Sequence, residues 1–144
     1  PQIIQTLYSA AMAGVKVDLI VRGICALRPG LPGISENITV RSVIGRFLEH
    51  SRVYYFHNDG NPEIFCGSAD WMERNFFRRM EVCLPLGRKQ HRARIVEDLQ
   101  TYLADNEQAW VLRPDGKYER ANANGAPPVG AQQVLIQRYS NCND

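Results

Sequence analysis

Long apolar runs, lysine and paired cysteines are all scarce in this chain of 144 residues. Its apolar stretches are short and repeatedly broken by charge, so none offers the roughly 20 apolar residues that a membrane-spanning helix needs. No segment resembles a signal peptide. The chain begins on Pro1 rather than Met, and a fragment cut from a longer protein is expected. The four cysteines (Cys25, Cys66, Cys83 and Cys142) include no C-x-x-C pair, and no histidine stands at metal-ligand spacing from them. This argues against a metal centre within the chain and against the disulfide framework of a small secreted domain. Free thiols in a cytoplasmic protein are expected, with Cys66 and Cys83 filling strand positions as small apolar groups. There is no internal repeat and no low-complexity tract. The segment Arg28-Pro29-Gly30-Leu31-Pro32-Gly33 lacks the spacing and the Gly-Lys-Ser/Thr ending of a phosphate-binding P-loop.

What is present is an ordinary globular composition, 44% hydrophobic and 22% charged, in a length that fits one domain with a real core. Net charge is only +2, but it is unevenly placed. From Arg22 to Arg94 twelve basic residues face seven acidic ones (+5), while from Ile95 to Asp144 four face seven (−3). Fourteen of the 17 basic residues are arginine, whose planar fork suits bidentate binding of phosphate or carboxylate. The central set points to an oxyanion site.

The pattern predicts a layered α/β domain. Ile4, Leu7, Tyr8 and Ala11 recur at helical spacing, with Gly14 placed to end the helix. Residues 15–21 are apolar and β-branched and predict a buried strand, with Arg22-Gly23 emerging at its carboxyl end, where open α/β sheets bind ligands. Residues 27–33 must form a loop. Ser35 is placed to cap a short helical segment running through Val43, Ile44, Phe47 and Leu48. Residues 52–57 and 63–66 predict paired strands around a turn at 58–62, and residues 79–84 a further strand closed by Pro85. A helix is expected over 88–103, then a small surface hairpin over 109–120. Residues 122–130 read as a linker to a last helix at 132–139, which has little apolar surface and is expected to dock on something outside this chain. The division is therefore 1–121 as one domain and 122–144 as linker and tail.

His50 is the leading candidate for chemistry. In Phe47-Leu48-Glu49-His50-Ser51-Arg52, the histidine and Arg52 are two apart on an extended chain and point to one face. A neutral imidazole can attack phosphorus, and a protonated one can donate to a leaving oxygen. A satisfied structural histidine is the plain alternative, and His57 and His91 fit it. Arg22 suits either a phosphate clamp or a salt bridge, and charge stabilisation dominates phosphoryl transfer. Downstream, Gly67-Ser68-Ala69-Asp70 offers backbone N–H groups, a hydroxyl and a carboxylate, which either orient the histidine or cap a turn. Arg78 and Arg79 are expected to point to opposite faces of a strand, so at most one enters the site.

Three segments in order resemble one family: Val21-Arg22-Gly23-Ile24-Cys25-Ala26-Leu27-Arg28-Pro29-Gly30, Gly45-Arg46-Phe47-Leu48-Glu49-His50-Ser51-Arg52, and Gly67-Ser68-Ala69-Asp70-Trp71-Met72-Glu73-Arg74-Asn75. Together they resemble the C-terminal domain of bacterial polyphosphate kinase, the type with a phospholipase D-like core, over about residues 3–120. The resemblance implies a mixed sheet flanked by helices. It further implies reversible transfer of the terminal phosphate of ATP to polyphosphate, with magnesium and a phosphohistidine. Two similar domains each supply one histidine, and the phosphorylated one belongs to the earlier domain, absent here. His50 would then be the second histidine, contacting ATP phosphates and assisting as acid or base. Arg22 and Arg79 would contact phosphate, with Arg52, Ser68 and Asp70 in support. Magnesium ligands and adenine-binding residues are expected outside the fragment. The expected partners are ATP or ADP, polyphosphate, the preceding domains and further copies of the full enzyme, with no nucleic acid. The expected location is cytoplasmic, with peripheral membrane attachment left open.

The wider phospholipase D pattern, His-x-Lys with an aspartate and then Gly-Ser-x-Asn, is met imperfectly. Arg52 replaces the lysine, Asp70 the asparagine, Gly67 lies three positions late, and Asp59 is a poor match for the aspartate. These departures weaken a phosphodiesterase or phosphatidyltransferase assignment, which stays as one alternative beside a non-catalytic polyanion-binding module. The fragment alone is expected to be inactive.

Overall fold

The computed structural model describes residues 2–140. In chain order the elements are α1 (Gln2–Met12), β1 (Val17–Ile20), β2 (Ile38–Val43), β3 (Val53–Phe56), β4 (Glu63–Gly67), α2 (Glu73–Arg78), β5 (Cys83–Pro85), α3 (Lys89–Ala104), β6 (Ala109–Leu112), β7 (Tyr118–Arg120) and α4 (Ala131–Ser140). They form two compact units, Pro1–Glu49 with Thr101–Asp144, and His50–Gln100. Cys142 lies outside the described residues.

The first unit holds a four-stranded mixed sheet in the order β1-β2-β6-β7. β2 runs parallel to β1 (Val17 opposite Ile38) and antiparallel to β6, which pairs antiparallel with β7. β2 is the central strand because its β-branched residues fit a pleated surface buried against neighbours. Ile38 and Val40 point to one face and join Ala11, Leu27 and Leu112 in the core, with Ile4, Leu7 and Tyr8 of α1 packed against them. The helical spacing of α1 is thus the spacing of its buried stripe. Gly14, at φ +91°, takes the left-handed conformation that ends the helix.

The second unit is a three-stranded antiparallel sheet, β3-β4-β5, with α2 between its last two strands in sequence. Asn58 and Asp59 turn the β3–β4 hairpin at φ +46° and +49°, a region that short polar side chains tolerate. Ile64 is its one fully buried large apolar residue among those described, whereas Phe77, Met80, Val82 and Leu84 stand exposed.

The expected α/β class holds, with three local corrections. Ser35 caps no helix: it is fully buried, its hydroxyl accepts the Leu31 N–H and donates to the Arg28 carbonyl, and it thereby ties the 28–35 loop together. Residues 38–43 are strand, and 44–49 have no regular structure, with Ile44, Phe47 and Leu48 exposed. The helical spacing of those apolar residues was outweighed by the alternating β-branched run before them. The strand expected over 79–84 shrinks to Cys83–Pro85, because α2 extends to Arg78. β1 spans only Val17–Ile20 and lies half-buried at a sheet edge rather than fully buried.

The tail also differs from expectation. Ala131 and Gln132 are buried within the first unit, and α4 is anchored there by Asp105, which is only 2% exposed. One carboxylate oxygen of Asp105 accepts the N–H groups of Glu107, Gln108 and Ala109, at 3.1, 2.7 and 2.9 Å. The other accepts that of Ala131 at 2.7 Å, satisfying a donor that the first turn of a helix leaves open. Arg41 of β2 donates to the Leu103 carbonyl at the end of α3, where a cation also suits the helix dipole. Asp105→Ala strands four N–H donors, those of Ala109 and Ala131 buried, and should destabilise the fold by about 3 kcal/mol, measured by urea unfolding.

Candidate functional site

β3 and its approach place the central cluster of the second unit. Side chains two apart on an extended chain share a face, and His50 and Arg52 do meet. The Arg52 Nη1 lies 2.7 Å from His50 Nδ1 and 3.3 Å from Nε2, and donates to the His50 carbonyl at 2.7 Å. The in-plane lone pairs of the two ring nitrogens diverge, so one guanidinium nitrogen close to both lies against the ring rather than on the end of either lone pair. The rest of the guanidinium is held by Asp70: Nε and Nη2 approach the same carboxylate oxygen at 3.0 and 2.9 Å. Asp70 therefore fixes Arg52, and Arg52 fixes the imidazole, while His50 itself stays exposed to solvent.

The segment that carries Asp70 is locked by neighbours of β3. Gly67 N–H donates to the Arg52 carbonyl and Ser68 N–H to that of Val82, both at 2.9 Å. A Cβ on Gly67 would lie 3.2 Å from the Val82 carbonyl and 3.3 Å from the Tyr54 ring, so the close approach requires glycine. Tyr54 donates to the Ala69 carbonyl at 3.0 Å and stacks on Trp71, ring centroids 5.4 Å apart. Its burial raises the Tyr54 phenol above the usual value.

These contacts redistribute the roles expected of Gly67-Ser68. The two backbone N–H groups are engaged in the sheet and do not form an anion cradle. The Ser68 hydroxyl donates to Glu81 and accepts the Val82 N–H at 3.0 Å, so it does not orient His50. Glu81, which the sequence pattern did not single out, receives a second hydrogen bond from the buried Asn75 at 2.8 Å. The Ser68 hydrogen bond, then that of Asn75, then the nearby charge of Arg79 hold the Glu81 carboxyl below its usual range. Arg79 follows α2 in extended backbone and is exposed, and Arg78 closes the helix. The two are not successive strand residues, so the opposite-face expectation does not apply.

The first unit carries the other candidate. Arg22 follows β1 after Val21, is exposed, and donates from Nη1 to the Glu49 carbonyl at 3.1 Å. No salt bridge of Arg22 occurs among the described residues. Glu49 was not singled out from the sequence either. Its carboxylate accepts from the Tyr102 hydroxyl at 2.7 Å and from the Gln132 amide at 2.6 Å. Among the described residues no three His, Cys, Asp or Glu side chains converge as a metal site.

A family model described as polyphosphate kinase C-terminal domain 2 matches residues 1–132. The chain belongs to this family. It is 52% identical to a polyphosphate kinase of Pseudomonas aeruginosa over 141 residues, covering 97% of this chain and 20% of that protein. It is 58% identical to one of Burkholderia lata over 140 residues, covering 96% and 20%. The crystal structure of polyphosphate kinase from Porphyromonas gingivalis matches with a TM-score of 0.93 at 39% identity, covering 96% of this chain and 21% of that one. The family membership carries the phospholipase D-like α/β architecture with it. The chain spans about a fifth of the length of these relatives. Among the described residues no helix is long and apolar enough to cross a membrane.

The Glu81 cluster has a direct test. A carboxyl held below its unfolded value stabilises the fold fully above that value, 4.5, and loses this contribution as pH falls through the lower folded value. Ser68→Ala removes the largest cause, so the Glu81 titration should move up towards 4.5, measured by carboxyl carbon NMR.

Proposed function

We propose that this chain is the C-terminal catalytic piece of an enzyme that reversibly transfers the terminal phosphate of ATP to polyphosphate. In this reading a histidine of an earlier domain, outside this chain, takes the phosphoryl group as a phosphohistidine, and His50 assists. The observation that carries it is the Asp70–Arg52–His50 chain, which fixes an exposed imidazole with a guanidinium against it in a member of this family.

The division of labour follows from the charges. The bond from the terminal phosphorus to the bridging oxygen of ATP breaks, and negative charge gathers on the departing ADP oxygen. His50 holds a proton at that oxygen, or takes one back in the reverse direction. Arg22 and Arg79, both exposed, supply forks for the phosphate oxygens, where electrostatic stabilisation is the main source of rate. Arg52 is engaged by Asp70 and His50 at all three guanidinium nitrogens, so it positions the histidine rather than gripping substrate. A phosphodiesterase of the phospholipase D type would use a lysine here to hold its phosphate, and the Asp70 pairing speaks against that rival. ATP brings magnesium, whose ligands we assign to the remainder of the full-length protein, together with the adenine contacts and the attacking histidine. Assembly into homo-oligomers and a cytoplasmic location, with or without peripheral membrane attachment, belong to the same reading.

Two outcomes test it. In the full-length protein, His50→Ala should lower ATP-dependent polyphosphate synthesis by about a hundredfold or more while the unfolding midpoint holds, and a mild loss would reduce His50 to a structural residue. The 144-residue chain alone should not synthesise polyphosphate from ATP; robust synthesis would show that one histidine suffices.

A further inference from the structure

We propose that Gln132 and Tyr102 are positioning residues for His50, acting through the three residues that lead into it; this rests on the catalytic reading of His50. The backbone pairing ends where the Ile44 N–H donates to the Gln108 carbonyl at 3.3 Å; residues 45–49 have no regular secondary structure, and Phe47 and Leu48 are more than half exposed, so neither a strand ladder nor a core holds them. Side chains hold them instead. Gln132, on the first turn of α4 and 6% exposed, reads the Phe47 backbone in both directions. Its Oε1 accepts the Phe47 N–H at 3.0 Å, and its Nε2 donates to the Phe47 carbonyl at 2.8 Å. The same Nε2 donates to Glu49 Oε1 at 2.6 Å. Tyr102, near the end of α3, donates to the other Glu49 oxygen at 2.7 Å.

Glu49 is thereby fixed at its carboxylate by two elements, while its carbonyl receives Arg22 at 3.1 Å and its peptide continues into His50. Gly45 shows how closely the clamp is fitted. A Cβ there would stand 2.3 Å from Gln132 Oε1 and 2.8 Å from Gln108 Oε1, so only glycine leaves the amide its place. The start of α4 does not need the Gln132 side chain, since Asp105 already serves the Ala131 N–H. These three hydrogen bonds of the Gln132 amide are all directed at the segment before the histidine.

Misplacing a catalytic group by about 1 Å from a distance costs on the order of a hundredfold in rate, and losing a supporting partner about ten- to a hundredfold. Two substitutions in the full-length protein separate this role from folding. Gln132→Met keeps the volume and removes the amide; Tyr102→Phe removes only a hydroxyl. Both are assayed for ATP-dependent polyphosphate synthesis beside His50→Ala, with the unfolding midpoint recorded. Gln132→Met should lower kcat about tenfold to a hundredfold and Tyr102→Phe about tenfold. The loss should fall on kcat rather than on KM for ATP, the signature of an interaction that matters in the transition state; the Tyr102→Phe midpoint should stay close to wild type, and the Gln132→Met rate is taken per folded protein. Wild-type kcat in a folded Gln132→Met protein overturns the proposal, as does a loss that vanishes once the rate is divided by the folded fraction. Where Gln132→Met fails to fold, Tyr102→Phe decides by the same criteria. A nearly active His50→Ala protein overturns the catalytic reading itself; an inactive one beside fully active Gln132→Met and Tyr102→Phe overturns only the positioning role.

Discussion

A single buried carboxylate organises the half of the molecule that holds the tail. Asp105 sits where α3 ends, β6 begins and α4 starts, and its two oxygens gather N–H groups from both flanking segments. A carboxylate excluded from water is tolerated only when its lone pairs are filled, and here four backbone donors fill them. Because Oδ1 fixes the start of β6 and Oδ2 the start of α4, the helix is oriented relative to the sheet by one side chain. Gln132 is the next residue after the N–H that Asp105 captures. The amide that holds Phe47 and Glu49 is therefore placed, at one remove, by Asp105.

The second unit solves its problem differently. With Ile64 its one fully buried large apolar residue among those described, it relies on close backbone approach and ring stacking. Gly67 lets the strand meet Val82 and Tyr54, and Tyr54 in turn holds the Ala69 carbonyl and the Trp71 ring. These contacts leave Asp70 facing Arg52. The polar site is thus a product of aromatic and glycine packing rather than of a deep core.

Much of this was legible in sequence, and the failures have physical causes. The i, i+2 relation of His50 and Arg52 needs only an extended chain, and the three ordered motifs needed only to be recognised. α1, α3, the β3–β4 hairpin and α4 followed from periodicity and turn residues. Ser35 misled because serine caps helices as readily as it ties loops, and both uses look alike before a strand is placed. Glu49 and Gln132 were invisible for a different reason. They are 83 residues apart, and an ordinary glutamate beside a histidine announces nothing until the fold brings an amide to it. Asp105 gave no signal either, since a buried aspartate differs from a surface one only in what surrounds it.

The pairing of Arg52 with Asp70 has a consequence for how such a site can change over generations. Asp70 grips two nitrogens of the fork with one oxygen, and the third nitrogen touches the imidazole. A lysine at 52 could reach one of those groups but not both, since it ends in a single point charge. An asparagine at 70 would leave the guanidinium without its counter-charge beside the histidine. Neither substitution alone keeps all of these contacts, so a change at one position is compensated only by a matching change at the other, 18 residues away.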